Sequence, residues 1–346
     1  MLVSAVIMQF SLAFLGVVIG LAPPAVPQDD QKFRSWYPYY RYVLDSTLEK
    51  NCSTEYAAYL ENQAGICQYY CNATSMASER VIECLLSSLA DCVKSNMQSA
   101  SALLGIMLVA LPFFGTGTEE SALLMVIAQR PLLTLLLVTG SPVASPLQPF
   151  EYNRPVDILH RRKGRFRSLG TPPRHVVLAA EYATALLALV NTLHVSWQLG
   201  LGVVTMISSG AIYLPSLWVV MGVAAHLVGA LCLRSFICVK DNSPATSSSC
   251  SVLRSEFTIS CKKYITVRTP KDENKLFLVL SMLTSAATTS YTIFGFLCFA
   301  SIQFISVYDA LIVIGRYTVS VVVCRFIALY ELSGLANVVE DGDNDK

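Results

Sequence analysis

Seven ionisable or amide side chains stand inside otherwise apolar runs of this 346-residue chain: Glu181, Asn191 and His194 in one run, His226 in a second, and Asp309, Arg316 and Arg325 in a third. Such groups are costly in hydrocarbon, so they face a bundle interior or a cavity and pair with one another. The chemistry open to them is a proton or ion relay, since imidazole titrates near physiological pH; the plainer alternative is a set of satisfied interhelical contacts. Spacing narrows the pairing. Asp309 and Arg316, seven apart, share a helical face but lie about 10 Å apart along the axis. Glu181 is then the acid left for Arg316, and an interhelical Glu181 to Arg316 bridge is expected. Asn191 and His194, three apart, share a face and are expected to line the same polar interior.

Other constellations are missing from the sequence. There is no His-Glu-x-x-His, no phosphate loop, no Gly-x-Ser-x-Gly and no paired Cys-x-x-Cys. "GTGTEES" (115–121) has glycines but no lysine to meet a phosphate, and four histidines are too few for an imidazole-rich metal site. The expectation is therefore no enzyme, no catalytic residue, no cofactor and no metal.

The elements that hold the polar residues follow from composition. With 53% hydrophobic and 14% charged residues, the chain is too apolar for a soluble domain, in which about 25% is charged. Strong candidate spans are 99–115, 175–199, about 210–233, 275–302 and 304–330, each near the roughly 20 residues that a bilayer requires. The stretch 119–146 is ambiguous, because Arg130 and Pro131 divide it into two pieces too short to cross alone.

Charge decides between five spans and six. If 119–146 crossed, Arg154, Arg161, Arg162, Lys163, Arg165, Arg167 and Arg174 would all be external, against the positive-inside rule. If it enters and leaves on the cytosolic side, that loop is internal. So is the loop after the third span, with eight Lys or Arg against four acids between 234 and 275. Six spans with the basic loop outside is the alternative.

Ahead of the bundle, the uncharged run Leu2 to Ala22 and its proline-rich exit read as a signal peptide or signal anchor. Residues 24–98 then form an extracytoplasmic domain with sequons at Asn51 and Asn72. Five cysteines concentrate there, as an oxidising compartment allows. Helical spacing suggests Cys67 and Cys71 bridged to Cys84 and Cys92, with Cys52 left over, although spacing does not fix connectivity. Eight of the sixteen tyrosines lie in this domain, as a partner-binding surface or as packing against the membrane domain.

The expected fold is an all-α polytopic bundle of about five spans plus a re-entrant or interfacial hairpin, with a small Cys-rich helical ectodomain. Its organisation is 1–23 signal, 24–98 glycosylatable domain, 99–140 span plus hairpin, 141–174 basic cytosolic loop, and 175–233 two spans. A Ser-rich basic cytosolic loop over 234–275, two spans over 276–330 and an acidic tail over 331–346 follow. The Ser/Thr stripe Ser281, Ser285 and Thr289, and the pair Ala225 and Gly229, favour close helix packing, with a pore lining as the minority reading.

"ECLLSSLADCVKSNMQSASALLG" and "QRPLLTLLLVTGSPVASPLQPFEYNRPVDIL" resemble a set of uncharacterised fungal multi-pass membrane proteins that share an Arg-Pro-Leu-Leu element followed by a Ser-Pro, Phe-Glu-Tyr stretch. The likeness covers roughly 83–160. It implies the membrane class and a fungal source, and no activity or ligand. The functional expectation is a sensor or accessory protein of the secretory-pathway membranes that binds a protein partner through its ectodomain. The alternative is a small-solute or ion transporter or channel. The lipid bilayer is the one firm partner, and nucleic acid is not expected.

Overall fold

The computed structural model describes residues 32–63, 74–144, 159, 174–241, 256–258, 265–268, 275–336 and 339–341. The expected signal segment, Asn72, Cys67, Cys71, nearly all of the basic loop and most of the Ser-rich linker lie outside the described residues.

Ten helices and five short strands appear among them. The chain begins with α1 (Arg41–Lys50), α2 (Ser53–Gln63) and α3 (Thr74–Ser88), followed by α4 (Asp91–Phe114), α5 (Thr118–Val126) and α6 (Pro131–Gly140). It continues with α7 (Arg174–Gly202), β1 (Val204–Thr205), α8 (Leu214–Phe236), β2 (Cys238–Asp241) and β3 (Ile265–Arg268). The last elements are α9 (Lys275–Ala300), β4 (Ile302–Gln303), α10 (Val307–Ala336) and β5 (Val339–Asp341). Five helices, α4, α7, α8, α9 and α10, are long and apolar enough to cross a membrane. They run 23 to 30 residues, against the roughly 20 a bilayer requires.

The two ends of the bundle are distinct. At the head end, α1 to α3 close over a core of Phe33, Trp36, Leu44, Tyr59, Val81 and Leu85. Val204 and Phe304, from the two strands' surroundings in the bundle, complete that core, and β1 pairs antiparallel with β4 beneath it. Lys32 fastens the junction: its buried ammonium donates to the carbonyls of Gly200 at 2.9 Å and Val203 at 2.8 Å. That places a cation on the carbonyl-rich end of α7. At the far end, β2, β3 and β5 form a small sheet, antiparallel between β2 and β3 and parallel between β3 and β5. The segments that follow α8 and α10 are thus joined through β3.

One disulfide is present among the described residues, and it is not an expected one: Cys52 bridges Cys84, closing a separation of 32 residues, while Cys92 is an exposed free thiol. Helical spacing misled here. Cys84 turns toward the α1–α2 junction, where Cys52 is buried in the head core, so tertiary packing chose the partner.

α4 does not reach the far end by itself. Asn96 in its second turn accepts from the amide of Val307 at 3.1 Å, at the very start of α10. Gly105 faces Ala300, the last residue of α9. Leu108 lies against Gly295, and the helix stops at Phe114. Pro112 in the last turn and the Gly115-Thr116-Gly117 stretch end it, because proline withholds an N–H and glycine carries no helix-favouring side chain. α5 takes over and carries the chain on. Its Ser121 touches His226, near the middle of α8, and Arg130 beyond its end meets Glu331, close to the far end of α10. α5 thus extends the path of α4 toward the far end.

The expected turn at Arg130 and Pro131 is present, with Pro131 at the first helical position and Gln129 at φ 52. The limb that re-enters is α6. From Arg130 it climbs back until Gly140 lies against Cys324 and Ala188 and Val143 lies against Gly115. α5 and α6 are almost wholly buried, so their broken backbone is lined by protein, the condition for irregular backbone at membrane depth.

Candidate functional site

Two polar clusters occupy the bundle, one at its middle and one at its far end. The middle cluster sits where the carbonyl ends of α4 and α6 approach each other. His226 bridges the two limbs, with Nδ1 2.7 Å from Ser121 Oγ on α5 and Nε2 3.1 Å from the Val143 carbonyl after α6. A carbonyl only accepts, so Nε2 donates and Nδ1 is left to accept from Ser121. The single Ser121 hydroxyl proton has a second acceptor, the Thr118 carbonyl at 2.9 Å. The hydroxyls of Thr116, Thr118 and Ser141, at the helix breaks, are buried and without a hydrogen-bond partner. Buried polar groups are nearly always paired, and these three, at the α4–α5 break and at the end of α6, are among the exceptions.

The head-side half of the bundle is closed by aromatic packing. Trp218 stacks on Tyr291 with centroids 5.5 Å apart and meets Phe299 and Tyr317 edge-on. Tyr317 shares a hydrogen bond with Ser196 at 2.8 Å. A Cβ on Gly295 would lie 2.6 Å from the Trp218 ring nitrogen, so only glycine lets the ring seat there.

The far-end cluster is centred on Arg130, which is fully buried. Its Nη1 lies 3.1 Å from Glu181 Oε2 on α7 and 2.7 Å from Glu331 Oε2 on α10. Nη2 donates to the same Glu181 oxygen at 3.1 Å, and Nε donates to the backbone carbonyl of Glu256 at 3.0 Å. The guanidinium also sits over the Tyr182 ring, 5.6 Å from its centroid. Glu256 belongs to the Ser-rich loop, yet it is buried. Its carboxylate accepts from the amides of Leu132 at 3.3 Å and Leu133 at 3.0 Å, and from the Tyr182 hydroxyl. It thereby supplies acceptors to the exposed N–H groups at the start of α6, where the helix dipole favours an anion.

Between the clusters, Glu120 of α5 pairs with Arg325 of α10 and accepts from the Gly117 amide at 3.2 Å.

Several expected placements are corrected by this geometry. Glu181 does lie in the interior, but its partner is Arg130 and not Arg316. Arg316, partly buried, donates to Asn191 Oδ1 at 3.0 Å and Gln198 Oε1 at 2.8 Å. Asn191 donates in turn to the Arg316 carbonyl and to Ser320. His194 is exposed on α7 and lines no polar interior, although its spacing from Asn191 keeps the two on one side of the helix. Asp309 is a capping residue: the Ser306 hydroxyl donates to its carboxylate at 2.9 Å and accepts from its amide at 3.0 Å. This Ser-x-x-Asp box starts α10, and the Tyr39 amide adds a bond to the same carboxylate from the head. His226 is interior as expected. In the Ser/Thr stripe, Thr289 spends its hydroxyl on the Ser285 carbonyl of its own helix.

Glu331, Glu256, Glu120 and Arg130 escaped the sequence reading as partners of this interior. Arg130 was visible as a break in hydrophobicity, and Glu120 and Glu331 as charges at the edges of apolar runs. Glu256, alone in a polar loop, carried no signal.

No family model matches this chain, and comparison with curated proteins and with solved structures gives no match.

Proposed function

We propose that the protein is a multi-pass membrane carrier that passes a small cation through the interior of its bundle. One observation carries this reading: two helices, α4 and α6, end on their carbonyl sides at mid-bundle, beside three buried hydroxyls that have no partner. Carbonyl ends and unwound backbone at a helix break suit a cation, as in transporters built from discontinuous helices. The aromatic closure on the head side and the Arg130 cluster at the far end are the two barriers that such a carrier opens in turn. The head faces the lumen or exterior, delivered there by the segment 1–23 and glycosylated at Asn51 and Asn72, while the basic loops face the cytosol.

The test is flux. Full-length protein in sealed vesicles, under imposed gradients of sodium, potassium or protons and read with ion-sensitive dyes, is expected to pass one of these above the rate of empty vesicles. Replacing the hydroxyls in the Thr118→Val, Ser141→Ala double variant lowers that rate at least tenfold. No flux of any of the three cations rejects the proposal.

A second reading rests on the head. A groove of about 720 Å³ runs between α3, α4 and the loop after β1, lined by Ile82, Leu86 and Met206 with Glu79, Glu83 and Lys94 at its rim. A sensor or accessory role through a partner docked there predicts that Leu86→Glu abolishes partner crosslinking on the intact protein and leaves any cation flux unchanged.

A further inference from the structure

We infer that Arg316, Gln198 and His194, at the seam between α7 and α10, form a binding site for the headgroup phosphate of an anionic phospholipid in the head-side leaflet.

Arg130 meets Glu181 and Glu331, and Arg325 meets Glu120. Arg316 has no such acid. Its Nε donates to Asn191 Oδ1 at 3.0 Å and its Nη1 to Gln198 Oε1 at 2.8 Å, both of them neutral amides. Among the described residues no carboxylate pairs with it. A guanidinium carries five N–H donors, and its two bonds leave the Nη2 pair and one Nη1 proton without an acceptor among the described residues. An arginine inside a span is costly and is found paired, so this charge calls for an anion from outside the chain.

The acids of the two flanking helices are committed elsewhere. Asp309 lies seven residues, about 10 Å, from Arg316 along α10. It is buried, and it accepts from the Ser306 hydroxyl and the Tyr39 amide. On α7 the acid is Glu181, ten residues before Asn191 and held by Arg130.

Depth selects the occupant. α7 and α10 run 29 and 30 residues, about 44 Å at the helical rise, against about 30 Å of hydrocarbon. Their last turns therefore stand at headgroup level. α7 ends toward the head at Gly202, and Gln198 is four residues, about 6 Å, short of that end. The Arg316 backbone lies deeper, nine residues or about 14 Å beyond the start of α10 at Val307. Asn191 holds Nε, while Gln198, two turns nearer the head, holds Nη1. The guanidinium thus reaches headward, as a cation snorkelling to the level of the phosphates does.

The outward surface changes character at the same level, independently of that contact. Leu186, Leu187 and Val190 of α7 are exposed and apolar, whereas His194 and Gln198, one turn apart, are exposed and polar. Beside them on α10, Tyr308 is exposed at the head end and Leu311 and Ile312 follow it, the order of an interfacial aromatic above a lipid-facing stripe. Gln198 gives its Oε1 to Arg316 and keeps its amide N–H groups to donate, and His194 adds an imidazole N–H. A cation and two neutral donors, with no acid among them, complement a headgroup of net negative charge. This site is on the outside of the bundle and stands whether or not a cation crosses the interior.

Native mass spectrometry of the full-length protein, released from detergent with dioleoylphosphatidylglycerol in competition with dioleoylphosphatidylcholine, counts the lipid retained. Preferential retention of phosphatidylglycerol is expected. Arg316→Gln weakens it by about tenfold, the scale of one lost hydrogen bond to a charged group, while Lys94→Gln on the head leaves it unchanged. The double variant His194→Leu, Gln198→Leu, at exposed positions, also weakens it and decides the matter where Arg316→Gln fails to fold. Equal retention of the two lipids overturns the inference, as does a preference that survives the substitutions. Displacement of phosphatidylglycerol by inorganic phosphate overturns it in favour of a free anion, and a dimer that Arg316→Gln dissolves overturns it in favour of a second copy of the chain. Flux does not enter this readout, so the lipid site and cation passage fail separately.

Discussion

Arg130 is the residue with most at stake in the interior. Deleting one partner of a buried ion pair typically costs about 3–5 kcal/mol, because the other charge is left desolvated and unpaired. Arg130→Met strands two carboxyls and should fall at the upper end of that range, seen as a large loss of thermal stability in detergent. Adding Glu181→Gln and Glu331→Gln to that variant is expected to recover most of the loss. Arg130→Lys should not rescue, since an ammonium cannot make the three directed contacts of this guanidinium. Lys32 yields a pH test. Burial pushes its ammonium down from the usual range to about 7. Between about 7 and the unfolded value of about 10.4, the unfolded chain holds the proton and the folded chain does not. Stability therefore rises with pH across that window and is flat in this group below it. Thermal unfolding from pH 7 to 9 should show that rise, and Lys32→Met should reduce it.

The break between α4 and α5 and the re-entrant limb depend on close approach. A Cβ on Gly115 would lie 2.9 Å from Val143 Cβ, so Gly115→Ala pushes the tip of the α6 limb away from the break. Overpacking of this kind costs about 1–3 kcal/mol, and lowered thermal stability together with changed flux is the expected outcome. At the turn, Gln129 has φ 52, a left-handed conformation in which a β-branched side chain is a strained outlier. Gln129→Val is therefore expected to destabilise, whereas Gln129→Gly should be tolerated; thermal unfolding of the two variants compares them. The arginine-proline dipeptide made the turn legible in sequence. That α6, and not α5, is the limb that re-enters was not legible, because both pieces are equally apolar and neither carries a mark of direction.

For the whole molecule, the placement of loops decides sidedness. The head and the β2–β3–β5 sheet lie at opposite ends of the bundle, and the sheet joins the loop after α8 to the tail. Asn51 is exposed on the head, so with a luminal head Asn51→Gln should reduce a glycosidase-sensitive mobility shift, and Asn51→Gln together with Asn72→Gln should abolish it. A single cysteine engineered as Ser168→Cys, in a background free of other reactive thiols, should resist an impermeant reagent on intact cells and react after permeabilisation. Labelling on intact cells would restore a sixth span and place the basic loop outside.

The sequence by itself determined the membrane class, the five long apolar helices and the interruption at Arg130 and Pro131, since these depend on local composition, length and backbone chemistry. It also marked Glu181 and His226 as interior residues, because hydrocarbon tolerates such groups only when they are paired. Partners were another matter. Glu181 finds Arg130, Arg316 finds Asn191 and Cys52 finds Cys84, across separations of 51, 125 and 32 residues. Helical spacing reports which residues share a face of one helix and is silent about which face of another helix meets it. Glu256 shows the limit most plainly: in sequence it is one acid in a serine-rich loop, and only the fold brings it to the start of α6, where unpaired amides and a helix dipole give a carboxylate its place.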